Sequence, residues 1–368
     1  MSSPASPTSL SLASIKQAAP QIPITQVTNQ PIWLTLDPSR RGGYQEVWYL
    51  KLNDPDAQRA MWLRFTLLQS DNGFKRAAEV WAIVFHRKDS KDVSKLALKQ
   101  TQDIRAFSSS PSPSQEDADS SFRIGDCEFG HGYTRGQIQS KGRTIKWDLK
   151  FVPSQTASFN FVPESLARTG IVKNRVFTPH SDLRFTGTSE VDGERHEWKA
   201  VPGMQGHLAG PKNGHSWVWG HCNSFFNEQG HPVPFVFEGL SARSRLGPVP
   251  SPQLSALFFI YQGKEYRFNS LWDAVRCRSQ HSLTEWKFSA ERGDLLFRGH
   301  AGAEHRDFAG ITYEDTDGSL LFCANSKLSE MQVVVYRRGK LEATFNSSGT
   351  AAFEVVSRHK NPYVPLLI

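Results

Sequence analysis

The stretch from Gly203 to Arg243, GMQGHLAGPKNGHSWVWGHCNSFFNEQGHPVPFVFEGLSAR, gathers the side chains best suited to chemistry. If residues 215–223 are extended, successive side chains take opposite faces. His215, Trp217, Trp219, His221 and Asn223 then share one face, and Ser216, Val218, Gly220, Cys222 and Ser224 the other. The second face is small and suits close packing on a neighbouring sheet. The first is aromatic and hydrogen-bonding, the make-up of a ligand site whose apolar walls give affinity and whose polar groups fix orientation. The same residues allow a plainer reading, with Trp217 and Trp219 in a core and His221 bonded to backbone. A zinc reading also arises, because His207, His215, His221, Cys222 and His231 are close in sequence. Their spacings match no standard ligand pattern, and His221 and Cys222 would point to opposite faces, so no metal site is expected.

Few other motifs compete. The P-loop, dinucleotide, nucleophile-elbow and H-E-x-x-H patterns are absent from the sequence, and no cofactor is implied. His300 and His305, beside Glu304 and Asp307, read as a charged loop.

The elements that would position such a site are strands. In 368 residues there are 24 Phe and 10 Trp to build a core, and 27 Gly and 21 Pro to build turns. Ile145, Trp147, Leu149 and Phe151 alternate with Lys146, Asp148 and Lys150; Leu63, Phe65 and Leu67 form a second apolar row, and Trp81, Ile83 and Phe85 a third. Further strands are predicted at 257–261, 285–289, 295–298, 319–324 and 331–337. Turns are expected at Asp71-Asn72-Gly73, Asp192-Gly193 and Asp317-Gly318. Only 75–82 and 271–276 compete as short helices. This pattern suits an all-β chain whose antiparallel sheets close into barrels or sandwiches. Residues 1–28 read as a disordered tail and 108–121 as a solvent loop, with a first domain over 29–195 and a second over 196–368. A weak echo between WLRFTLL at Trp62 and WVWGHCNSF at Trp217 suggests two similar halves.

The formal charge of +7, from 43 Lys plus Arg against 36 Asp plus Glu, is scattered, with basic clusters no longer than pairs such as Arg40-Arg41 and Arg337-Arg338. A solvated basic surface explains it better than nucleic-acid binding. Four separate cysteines, no apolar run of membrane-spanning length, and a first basic residue, Lys16, that follows the weakly apolar N-terminal stretch point to a reduced, cytoplasmic setting.

GHSWVWGHCNSF resembles the glycine-histidine-x-tryptophan-x-tryptophan strand of the tocopherol cyclases and carotenoid hydratases. Gly206-His207 upstream and FEGLSAR downstream fit the same pattern. Tyr44–Tyr49 with Asn53–Pro55 is similar to that family's opening strand, and 313–326 to its closing pair. The resemblance implies two lipocalin-like β-domains around an apolar ligand, an isoprenoid or a lipid, with transient contact at a membrane surface. It also implies protonation of an isoprenoid double bond, followed by ring closure or addition of water. That chemistry needs an acid in an apolar site, with aromatic faces beside the cation. The candidate acids are His221, Glu46 and Glu238. The candidate ligand-binding residues are Tyr44, Trp48, His207, His215, Trp217, Trp219 and Asn223, on one pocket lined by the 44–48 and 215–223 strands. Glu46, next to Arg40 and Arg41 in sequence, could instead be a surface carboxylate, and Glu238, near Arg243, a structural ion pair. A non-catalytic carrier or sensor of apolar ligands is the alternative function.

Overall fold

The computed structural model describes residues 42–89, 93–110, 121–152, 158–162, 174–246 and 249–368. The expected tail lies outside the described residues, as does 111–120 of the expected loop; Ser108–Ser110 belongs to a strand.

The first sheet opens with a meander: β1 (Tyr44–Asp54), β2 (Arg59–Gln69), β3 (Arg76–Arg87) and β4 (Val93–Asp103). β5 (Phe107–Ser110), β6 (Ser121–Ile124), β7 (Cys127–Gly130), β8 (Tyr133–Ser140) and β9 (Arg143–Phe151) make a second. A stub, β10 (Phe159–Asn160), pairs with β11 (Arg175–Val191), which turns into β12 (Glu194–Gly210). This long hairpin joins the meanders, β12 beside β1 and β11 beside β9. The sheet curls until β4 packs on β8 and β9, enclosing Trp48, Leu50, Phe65, Phe122, Phe129, Trp147 and their neighbours.

The second sheet repeats the plan. It contains β13 (Ser216–Cys222), the short pair β14 (Phe225–Phe226) and β15 (Pro232–Val233), and β16 (Val236–Arg243). A separate hairpin, β17 (Arg245–Leu246) and β18 (Val249–Pro250), precedes β19 (Leu254–Tyr261), β20 (Lys264–Phe268) and the helix α1 (Leu271–Arg276). Then come β21 (Arg278–His281), β22 (Glu285–Arg292), β23 (Leu295–Gly302), β24 (Ala309–Glu314), β25 (Leu320–Arg337) and β26 (Lys340–Ser357). The order β20-β19-β16-β13-β26-β25-β23-β22-β21 places β13 where the first sheet has β1, and the β25–β26 hairpin where it has β11–β12. The two halves therefore correspond with β1 matched to β13, one strand away from the echo that aligned Trp62 of β2 with Trp217.

The all-β expectation holds, and the differences have local causes. Of the residues 75–82, all from Arg76 onward are strand, because Val80 and Ala82 face the first core while Trp81 and Ile83 face the second sheet. The predicted strands at 319–324 and 331–337 are parts of one continuous strand, β25, interrupted by register shifts between Ser326 and Met331. Asp192-Gly193 does close β11 onto β12, with both residues at positive φ. Lys141-Gly142, Gln262-Gly263 and Arg338-Gly339 do the same without an Asn or Asp to signal it. The expected division at 195/196 falls at the start of β12, within the first sheet; the change of sheet comes between Gly210 and Ser216.

The outer faces of the two sheets pack together. Ala60, Trp62, Trp81, Ile83 and Phe85 meet Ala309, Ile311, Tyr313, Leu321, Cys323 and Leu328 in one cluster, and Phe159, Met204, Trp219, Phe258 and Ala352 form another. β2 is buried on both faces and departs from strict alternation accordingly, with Arg64 and Thr66 as the polar residues between Ala60 and Leu68.

Candidate active site at the seam between the sheets

β13 sits between β16 and β26 in the second sheet and has the two-faced character its sequence suggests. Val218 and Cys222 enter the second core. Gly220 and Gly239, opposite each other on β13 and β16, leave room for the Trp286 ring. A Cβ at Gly239 would lie 2.9 Å from that ring, and one at Gly220 3.0 Å from it. The other face, with Trp219, His221 and Glu238, looks across the seam at β1 and β11.

Glu238 is fully buried, and among the described residues no cation pairs with it. Thr178 on β11 donates its hydroxyl to Oε1 at 2.7 Å, and the Trp219 indole N–H donates to the same oxygen at 3.3 Å. Oε2 has no partner. Burial raises the Glu238 pKa from 4.5 to about 8, against the two hydrogen bonds, which lower it. The carboxyl is thus protonated at neutral pH. Because both donors hold Oε1, the proton resides on Oε2, which points an unused O–H into the seam.

His221 is the cross-strand partner of Glu238, so their side chains are neighbours on one face. Its Nε2 lies 2.7 Å from the Ser181 carbonyl oxygen, which can only accept, so Nε2 carries the hydrogen and Nδ1 the lone pair. Nδ1 has no partner. Desolvation, then the charge of Lys51, hold the imidazole well below its usual pKa, and it is neutral. An unspent acid and an unspent base stand side by side.

The surroundings are aromatic and cationic. Tyr49 of β1 meets Trp219 edge-on at 5.8 Å, and Phe159 stacks on Phe258 at 4.9 Å. Lys327 lies 5.4 Å from the Trp219 ring and 5.5 Å from Trp62, its ammonium bonded to Glu354 at 2.7 Å and to Asn325 at 2.5 Å. Lys51 is also fully buried, and its pKa falls to about 8, chiefly by desolvation. It bonds to the Thr350 carbonyl at 2.9 Å and, among the described residues, forms no ion pair. Asn223 donates to Asp182 at 2.8 Å and to the Gly203 carbonyl at 2.9 Å.

The expected single pocket is not what the chain builds. Trp217, Trp219, His221, Asn223 and Glu238 lie on the seam side. Glu46, Trp48 and His207 lie on the opposite side of β1 and β12, inside the first sheet, because side chains one residue apart point to opposite faces. There Glu46 and His207 are both fully buried and paired at 2.8 Å, with Trp48 stacked on His207 at 4.8 Å. Glu46 is therefore no surface carboxylate, and Glu238 has no ion pair with the exposed Arg243. Tyr44 is half-buried at the start of β1, and His215, half-buried, precedes β13 instead of belonging to it. The strand 44–54 does reach the seam, but through Tyr49 and Lys51. These two and Thr178 were missed: alternation placed Tyr49 opposite Trp48, yet a strand buried on both faces gives no sign of which face carries a site.

Among the described residues no three His, Cys, Asp or Glu side chains converge as metal ligands, the four cysteines are buried free thiols, and no helix is long and apolar enough to cross a membrane. His300 lies on β23 and not in a loop, and its ring pairs with Glu285 of β22 at 3.1 Å.

The tocopherol cyclase-like family matches the chain over residues 42–356. Among curated proteins none matches. Two solved structures follow a related course. An AttH protein from Nitrosomonas europaea is 11% identical, with 86% of this chain and 93% of that one covered and a TM-score of 0.44. Kievitone hydratase from Nectria haematococca is 8% identical, with 86% and 89% covered and a TM-score of 0.46.

Proposed function

The chain belongs to the tocopherol cyclase-like family, and from that premise we propose that it protonates a carbon–carbon double bond of an apolar, isoprenoid-type substrate held in the seam. One observation carries this reading: a carboxyl kept neutral by burial, with its proton directed to the one oxygen that has no partner. In the first step the Oε2–H bond of Glu238 breaks, and its proton adds to one alkene carbon, leaving a carbocation at the other. The faces of Trp219, Tyr49 and Phe258 offset that charge, and an apolar surround keeps bulk water from it. In the second step an oxygen nucleophile adds to the cation and gives its proton to Nδ1 of His221. Where the nucleophile is a hydroxyl of the substrate the product is a ring, and where it is water the product is a hydrate. Passage of that proton from His221 to the Glu238 carboxylate restores the starting state. Lys51, with N–H bonds to spare, is suited to hold the substrate's oxygen.

The test is turnover of prenylated phenols and hydroquinones, followed by mass spectrometry. Ring closure gives an isomer of unchanged mass, and hydration gains one water. Wild-type protein should convert at least one such substrate, and Glu238→Gln should bind it while losing turnover by about 10²-fold or more. Binding without conversion by either protein would support the carrier reading instead. Extraction of the purified protein into organic solvent would show which apolar molecule accompanies it.

A further inference from the structure

α1 buries none of its six residues, although it is firmly built. Ser270 caps it, Asp273 returns the bond, and Arg292 reaches Asp273 at 3.1 Å. So short a helix gains little from propensity, and helices on folded domains normally turn their apolar residues inward. Here Leu271, Trp272 and Val275 are 59%, 75% and 76% exposed. The chain leaves α1 through Cys277 directly into β21, on whose outer face the register aligns Arg278, Ser289 and Arg298 across three strands. Gln280, Lys287 and His300 form the next row. An open groove of ≈ 520 Å³ lies there, lined by Arg278, Lys287 and Arg298 and by no carboxylate. The neighbouring acids are engaged: Asp273 with Arg292, and Glu285 with Lys287 and His300. Among the described residues Arg276, Arg278 and Arg298 have no ion pair.

We propose that α1 and the β21–β23 face form a docking surface for an anionic lipid bilayer. Trp272, Leu271 and Val275 enter the boundary between headgroups and acyl chains, where indole rings are favoured, and Arg276, Arg278 and Arg298 meet the lipid phosphates. The charge complementarity selects the partner, since a neutral surface would leave the arginines uncompensated. Binding is reversible, because three side chains bury little area. The surface deepens the reading above by naming where an apolar substrate is met, yet none of its residues belongs to the seam.

Co-sedimentation of the full chain with vesicles decides it. The protein should pellet with mixed phosphatidylcholine–phosphatidylglycerol vesicles, stay in solution with phosphatidylcholine alone, and release as salt rises from about 50 to 500 mM. Leu271→Ser/Trp272→Ser/Val275→Ser and, separately, Arg278→Glu/Arg298→Glu should each weaken binding about tenfold or more with an unchanged circular dichroism spectrum. Glu238→Gln should pellet like the wild type, so loss of turnover and loss of docking are read apart. Failure to pellet with anionic vesicles, equal binding by the variants, or Arg278/Arg298-dependent binding to RNA in place of vesicles would overturn the proposal.

Discussion

In the proposed reaction Glu238 is the residue on which the chemistry turns, and its behaviour with pH follows from its burial. The proposed mechanism uses the acid form, so the rate should be level below its pKa and fall as pH rises through about 8. Thr178 lowers that pKa by donating to Oε1. Thr178→Val should therefore move the alkaline limb to higher pH. It should also slow turnover about tenfold, because one donor instead of two now decides which oxygen carries the proton. pH–rate profiles of the two proteins check both outcomes. Lys51→Met should raise KM more than it lowers kcat if the ammonium holds the substrate's oxygen. Glu46→Gln alters the hydrogen bond to His207 inside the first sheet, on the far side of β1, and should leave the alkaline limb where it is.

At the scale of the element, β13 works because its two faces do different jobs. Its small face lies on Trp286, and its large face supplies Trp219 and His221. Gly239→Val would drive a branched side chain into Leu257, Phe237 and Trp286 and should cost about 1–3 kcal/mol in thermal unfolding. This two-faced strand was legible in the sequence, because small and large residues alternate strictly from Ser216 to Cys222. β1 was harder to read. Tyr44, Glu46 and Trp48 carried the visible chemistry, but both faces of β1 are buried, and the seam takes Tyr49 and Lys51. Thr178 could not be found from sequence at all: it comes from the irregular β11, 60 residues from Glu238 in sequence, and only packing of one sheet on the other brings it close. The strand repeat was legible only as an echo, since β1 and β13 share a place in the fold and almost no side chains.

The two sheets are held together by apolar clusters, and the polar groups buried between them make stability depend on pH. Unfolded, Glu238 loses its proton near 4.5; folded, it keeps it to about 8. The unfolded state therefore holds fewer protons between those values, so this group's contribution to stability falls as pH rises across that window and is level above it. The difference in unfolding free energy between wild type and Glu238→Gln should track that fall at up to about 1.4 kcal/mol per pH unit. Lys327 and Glu354 are a second test of the seam. Lys327→Met leaves the Glu354 carboxylate without its ammonium and should cost about 3–5 kcal/mol. The double variant Lys327→Met/Glu354→Leu should recover much of that loss.

The measurement closest to the central claim is a carbon-13 NMR titration of the glutamate side-chain carboxyls, compared between wild type and Glu238→Gln. One carboxyl should remain protonated through neutral pH, titrate near 8, and vanish from the variant's spectrum. If every glutamate in the wild type has ionised by about pH 5, in the range of unperturbed carboxyls, there is no neutral acid in the seam and the account fails.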